Sequence, residues 1–146
     1  MRLLPIAPLA LPAVLLLAAC QTQDHSGAPG TDAEGFNGIA KGDTIHFTGT
    51  EPFWGGDVRG GNLTYTTPEN QEGTTFTVKR FHGQGGLGLS CTLDGAAFDM
   101  TVTPGACSDG MSDRTYPYTV TLKIASETRL GCAWTDAQPF EGPKQP

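Results

Sequence analysis

Three carboxylates and one guanidinium stand in two short polar segments of the chain: Glu51, Asp109, Asp113 and Arg114. Glu51 belongs to the run GTEPFW, and the other three belong to the run CSDGMSDRTYP. If two of these carboxylates faced one cavity, one could donate and the other accept a proton, as in hydrolytic enzymes. One hypothesis for these residues is therefore a hydrolytic site.

Other catalytic signatures are missing from the sequence. No G-x-S-x-G or H-E-x-x-H motif occurs, and His46 and His82 fall at polar positions without an evident acidic partner. The run GQGGLG at residues 83–88 matches G-x-G-x-x-G, but a strand pattern follows it instead of the helix that a nucleotide site requires. The sequence therefore favours a non-catalytic protein over an enzyme.

The same two segments also carry the aromatic residues Phe53, Trp54 and Tyr116. An aromatic lip beside charged side chains would form a binding surface, which makes the candidate binding residues Glu51, Phe53, Trp54, Asp109, Asp113, Arg114 and Tyr116. The alternative is that these residues are structural. One ring of the pair Phe53 and Trp54 would then pack in the core and the other would cover the mouth of the barrel. Ser108, Asp109 and Gly110 would stabilise a turn. An ion pair between Glu51 and Arg114 would join the two segments.

The cysteines indicate one disulfide. Cys91 lies between Leu89 and Leu93 on the apolar parity, where a free thiol packs as a small hydrophobic group. Cys107 lies in a turn-rich stretch, so the sequence predicts that it pairs with Cys132. No CxxC pair or close histidines occur, and neither a metal nor another cofactor is expected.

The elements that must position these residues are strands, because apolar residues recur at every second position from Asp43 onward. Alternating sets include Ile45 and Phe47, Leu87 to Leu93, Tyr116 to Ile124, and Leu130, Cys132 and Trp134. Asp94-Gly95 is typical of a tight hairpin. The fold class predicted is all-β: a small antiparallel β-barrel, or a sandwich, of about seven or eight strands.

The N-terminus predicts export. Arg2 precedes an apolar run that ends in Leu17-Ala18-Ala19-Cys20, which is typical of a secretory signal. The run contains Pro5, Pro8 and Pro12 and is shorter than the roughly 20 residues of a spanning helix. Its end resembles the lipobox of bacterial lipoproteins. That resemblance implies a signal peptide at residues 1–19 and diacylation, as with palmitate, of Cys20.

The composition divides the remainder of the chain. Residues 20–40 are polar and predict a flexible tether, residues 41–136 form the β-barrel domain, and the proline-containing residues 137–146 predict a disordered tail. The chain carries a formal net charge of −6, which gives no footprint for nucleic acid. The expected partner is the membrane itself, to which the lipid anchor would attach the protein. Gln21 in place of Asp resembles outer-membrane lipoproteins facing the periplasm.

The two blocks, together with the late Gly131-Cys132-Ala133, resemble an uncharacterised family of small bacterial envelope lipoproteins. A more distant resemblance connects the chain with META-domain proteins and membrane-bound inhibitors of C-type lysozyme. These resemblances imply a periplasmic module that binds an envelope protein or a glycan, or alternatively one that inhibits lysozyme or protects against stress.

Overall fold

The computed structural model describes residues 35–145. The predicted signal peptide, the lipidation site Cys20 and most of the predicted tether therefore lie outside the described residues. Within residues 35–145 there is no apolar helix of membrane-spanning length.

The protein is all-β, as predicted, with nine strands in one antiparallel sheet that curls into a half-barrel. The strands are β1 (Ile45–Thr50), β2 (Phe53–Arg59), β3 (Asn62–Thr67), β4 (Asn70–Thr77), β5 (Lys79–His82), β6 (Leu87–Leu93), β7 (Ala96–Cys107), β8 (Tyr116–Ile124) and β9 (Glu127–Thr135). Their order across the sheet is β4-β3-β2-β1-β9-β8-β7-β6-β5. A single curled sheet corresponds to the barrel alternative, not to a two-sheet sandwich.

Tight turns join most neighbouring strands. Asp94 and Gly95 both have positive φ, at 50° and 80°, and they connect β6 to β7 as the hairpin prediction required. The first and last strands, β1 and β9, pair at the centre of the sheet, whereas β4 and β5, which follow one another in the chain, form its two edges.

The inner face of the sheet holds the core. Most residues on the predicted apolar parities are buried, including Ile45, Phe47, Val58, Leu63, Leu87, Leu89, Phe98, Met100, Val102, Tyr118, Val120 and Leu122. Rings from distant strands meet there: Phe98 of β7 lies 5.0 Å from Phe76 and 5.8 Å from Tyr65, centroid to centroid. Such edge-to-face contacts hold the two arms of the curled sheet together.

The predicted apolar parity of β9 is wrong. Leu130 is 70% exposed and Trp134 lies on the outer face, whereas Ala133 and Thr135 are fully buried. Gly131 is small because the Thr48 carbonyl and the Trp54 ring occupy the space beside it: a Cβ on Gly131 would clash with the Thr48 oxygen and lie 2.9 Å from Trp54 Cζ2. The Trp54 side chain of β2 thus fills the space that a large side chain of β9 would otherwise occupy.

Residues 35–40, which the sequence assigned to the flexible tether, pack on the sheet. Ile39 is 1% exposed, and the Tyr118 hydroxyl donates to the Gly38 carbonyl at 3.0 Å. The Phe36 amide also donates to the Gly83 carbonyl. The folded domain therefore begins before residue 41.

The predicted disordered tail is ordered up to residue 145. Thr115 and Glu141 form an antiparallel bridge with two backbone hydrogen bonds of 3.0 and 2.9 Å. Phe140 packs between Tyr116 and Trp134, with ring centroids 5.5 Å from each. These contacts order the C-terminal segment, although its prolines had led to the prediction of a disordered tail.

Candidate functional site

The two segments singled out in the sequence meet on the outer face of the sheet. The first forms the end of β1 and the start of β2, and the second forms the connection between β7 and β8. The Thr50 hydroxyl donates to the Asp109 carbonyl at 3.0 Å and joins them directly.

The disulfide Cys107–Cys132, which the sequence predicted, fixes the second segment to β9 with a Cα–Cα distance of 5.6 Å. Cys132 is 1% exposed on the outer side of β9, where Thr48 and Thr119 flank it on the neighbouring strands. Cys91 is the free cysteine among the described residues and is partly buried, and burial raises the pKa of its thiol. The disulfide therefore holds the polar loop against the centre of the sheet.

Asp109 organises that loop. Its carboxylate accepts hydrogen bonds from the Met111 and Ser112 amides at 2.9 and 2.8 Å, from the Ser112 hydroxyl at 2.7 Å and from the Tyr116 hydroxyl at 2.9 Å. Gly110 takes the positive φ of 72° that the turn requires. This is the aspartate turn that the sequence predicted.

The hydrogen bonds also determine the charge of Asp109. Burial opposes ionisation, but the four donors outweigh it and hold the pKa of the Asp109 carboxyl well below its usual range. A carboxylate that stays ionised and accepts four hydrogen bonds is poorly suited to exchanging protons near neutral pH. Asp109 therefore acts as a structural anion that adds negative charge to this face.

A groove of about 650 Å³ runs beside the disulfide loop. Its walls come from the end of β1, from the loop and from the outer faces of β8 and β9: they include Thr48, Thr50, Glu51, Cys107, Ser108, Asp109, Thr119, Thr121, Thr128 and Leu130. Glu51 and Asp109 thus line one groove, as the hydrolytic hypothesis required, but Asp109 is already saturated with donors. Threonine hydroxyls and backbone make up most of the remaining wall.

A second, smaller depression of about 280 Å³ adjoins the groove and shares Thr48, Thr50 and Asp109 with it. Phe53 and Met111 line it, and they are 52% and 68% exposed. With Leu130, these are three of the four large apolar side chains that stand exposed in the described chain. We call Phe53, Met111 and Leu130 the apolar rim.

Of the remaining candidate residues, Arg114 and Tyr116 line the smaller depression, whereas Trp54 lies in the core. Trp54 is 3% exposed and lies inside the sheet, between Phe47 and Tyr65, so it cannot form a binding lip. Tyr116 is 1% exposed and holds Asp109 through its hydroxyl. Asp113 is exposed and lines none of the cavities described above.

The expected Glu51–Arg114 ion pair is not formed. Arg114 Nε donates to the Pro143 carbonyl at 2.8 Å, its Nη2 donates to the Lys144 carbonyl, and its guanidinium lies 4.4 Å above the Phe140 ring. The C-terminal residues, which the sequence treated as loose, supply these partners. Arg114 holds the C-terminal segment in place and leaves Glu51 exposed in the groove.

Sequence reasoning missed two features near the site. His46 Nε2 lies 3.0 Å from Asp136 Oδ1 and its ring stacks on Trp134, although the sequence showed no acidic partner for this histidine. Leu130 was expected in the core. Within the described part of the chain, no three His, Cys, Asp or Glu side chains come together as a metal ion would need.

Comparison with protein-family models, with curated proteins and with solved structures finds no match to this chain. The site must therefore be interpreted from its own geometry.

Proposed function

We propose that this protein is a lipid-anchored, non-catalytic binding module of the bacterial envelope, and that its partner binds at the apolar rim. The observation that carries the proposal is the position of Phe53, Met111 and Leu130 around one pair of adjoining depressions. Exposed apolar side chains concentrated at one place mark interaction surfaces.

The construction of the site supports binding over catalysis. The disulfide, the Asp109 turn and the Thr50 hydrogen bond hold the loop in one conformation, which lowers the entropy cost of binding. Glu51 is the one exposed carboxylate of the groove, and Asp109 beside it is held ionised by its four donors. A proton donor to accompany Glu51 is therefore missing from the described residues that line the groove.

The anchor is proposed from the sequence alone, on Leu17-Ala18-Ala19-Cys20. We expect the full chain, produced in a bacterium, to partition with membranes and to yield an acylated N-terminal peptide beginning at Cys20 in mass spectrometry. The Cys20→Ser variant should leave the membrane fraction, because acyl chains each contribute about 0.8 kcal/mol per buried methylene. Recovery of a chain that begins at Met1 with an unmodified Cys20 would contradict the anchor.

The apolar rim is tested by replacing Phe53, Met111 and Leu130 together by serine in the full chain. Cross-linking in intact envelopes should then recover partners at least about tenfold less well, because truncating a central interface residue costs more than about 1–2 kcal/mol. Recovery of each partner is measured by quantitative mass spectrometry.

Phe81→Ser is the matched control, since Phe81 is 73% exposed on β5 and lines neither depression. This variant should recover the same partners as the unaltered chain. Equal losses in the two variants, or no loss in either, would rule out the apolar rim as the binding surface.

A further inference from the structure

Strands β1 and β9 pair over only half of β9. Cys132, Ala133, Trp134 and Thr135 pair with β1, whereas β8 pairs with the seven residues Glu127–Ala133. Beyond Thr48 the end of β1 pairs only with β2. At Gly131 the backbone carbonyl of Thr48 still lies against β9, but no residue of β1 pairs with β9 from Glu127 to Leu130.

Trp54 occupies the point where the two strands separate. A Cβ on Gly49 would lie 2.0 Å from Trp54 Nε1, and one on Gly131 would lie 2.9 Å from Trp54 Cζ2. The indole thus closes the inner side of the gap against the two glycines. The opening on the outer side belongs to the groove, which Gly49, Thr128, Leu130 and Gly131 all line.

The open edge of β9, Glu127–Leu130, is four residues long, which corresponds to about 13 Å of strand. Thr128 and Leu130 are exposed along it. Arg129 turns inward, where Glu127 holds it through two hydrogen bonds of 2.9 and 3.1 Å and Tyr65 accepts a third. A strand edge without a pairing partner, with an exposed leucine on it, is a template for an added strand.

The charge of the groove selects the kind of strand. Glu51 and Asp109 contribute two carboxylates, and no lysine or arginine stands among the described residues that line the groove. The whole chain is acidic as well, at −6, so a second copy of this protein would be repelled. A basic segment would be attracted.

We propose that an extended, basic polypeptide segment of an envelope protein adds to β9 as a strand along Glu127–Leu130. Its backbone pairs with the open edge, an apolar side chain rests on Leu130, and a lysine or arginine side chain faces Glu51 and Asp109. This inference rests on the proposed binding function and specifies the partner's chemistry.

The test uses the purified full chain and a synthetic peptide of about eight residues that alternates lysine and valine, a usual strand length. Hydrogen-exchange mass spectrometry should show slower exchange of the amides in Glu127–Leu130 when the peptide is present. A peptide of the same sequence with alternate backbone amides methylated should give no protection, because it cannot complete the ladder. A glutamate–valine peptide should give none either, because of its charge.

The charge term is tested with Glu51→Gln, which should weaken binding of the lysine peptide by about threefold to fivefold, the usual size of one exposed charge pair. Glu69→Gln, an exposed carboxylate between β3 and β4, should leave the affinity unchanged. Equal effects of these two substitutions would overturn the charge assignment.

Absence of protection at Glu127–Leu130, or equal protection by the methylated peptide, would overturn strand addition. If the serine variant of the apolar rim still loses its cross-linked partners in that case, the proposed function stands and only the strand mode is wrong. If neither experiment gives its expected result, both proposals are wrong.

Discussion

The Trp54→Ala variant should lose about 3–5 kcal/mol of unfolding free energy, the range measured for large aromatic residues in protein cores. The indole is 3% exposed and packs 5.8 Å from the Phe47 ring and 6.2 Å from the Tyr65 ring. Gly49 and Gly131 leave no side chain that could move into the vacated space. Urea denaturation followed by circular dichroism measures the loss.

Phe53→Ala is the control for this variant, since Phe53 is the neighbouring residue in β2 and is 52% exposed. It should change the unfolding free energy by less than about 1 kcal/mol. If the two variants were equally stable, Trp54 would not be the wedge between β1 and β9, and the shape of the groove would need another cause.

The sequence predicted best those strands whose own large side chains fill the core space next to them. In β6 and β8 the buried residues follow the predicted alternation, with Leu87 and Leu89 in one strand and Tyr118, Val120 and Leu122 in the other. Each of these side chains fills the space directly above its own strand. In such strands the alternation of apolar and polar residues is sufficient to predict which residues are buried.

In β9 the alternation was misleading because the space above the strand is filled from elsewhere. Trp54 of β2 covers Gly131, so the inward residues are small or polar and the large ones face outward. Cys132 faces outward because its disulfide partner lies there, and Trp134 because Tyr116 and Phe140 do. No local pattern in β9 records these three contacts.

In the candidate site, too, the features that depend on nearby residues were predictable and those that depend on distant strands were not. The turn at Asp109 was predictable, since its donors lie within seven residues of it along the chain. The exposed Leu130 and the open edge of β9 were not, because they depend on where β1 leaves β9. The role of Arg114 depends on the C-terminal segment, about 30 residues further along the chain.

Replacing Cys107 and Cys132 together by serine should lower the unfolding free energy by about 3.5 kcal/mol. The bond closes a loop of 25 residues, and the loop-entropy relation gives this value for that length. Chemical denaturation of the oxidised protein and of the double variant measures the difference. Cys91→Ala, which removes the partly buried free thiol, should change stability by less than about 1 kcal/mol.

Loss of the disulfide should also weaken partner binding, beyond the effect of the lower folding stability. Cys107, Ser108 and Asp109 form one wall of the groove, and Thr50 is the residue of β1 that holds this wall by a side-chain hydrogen bond. Without the bond to β9 the loop must be ordered when the partner arrives, at a cost of about 0.5–1.5 kcal/mol for each side chain immobilised. We therefore expect the double serine variant to bind the lysine–valine peptide about tenfold more weakly even where it is fully folded. Unchanged affinity would mean that β9 and β1 alone form the binding surface, and that the disulfide loop contributes stability only.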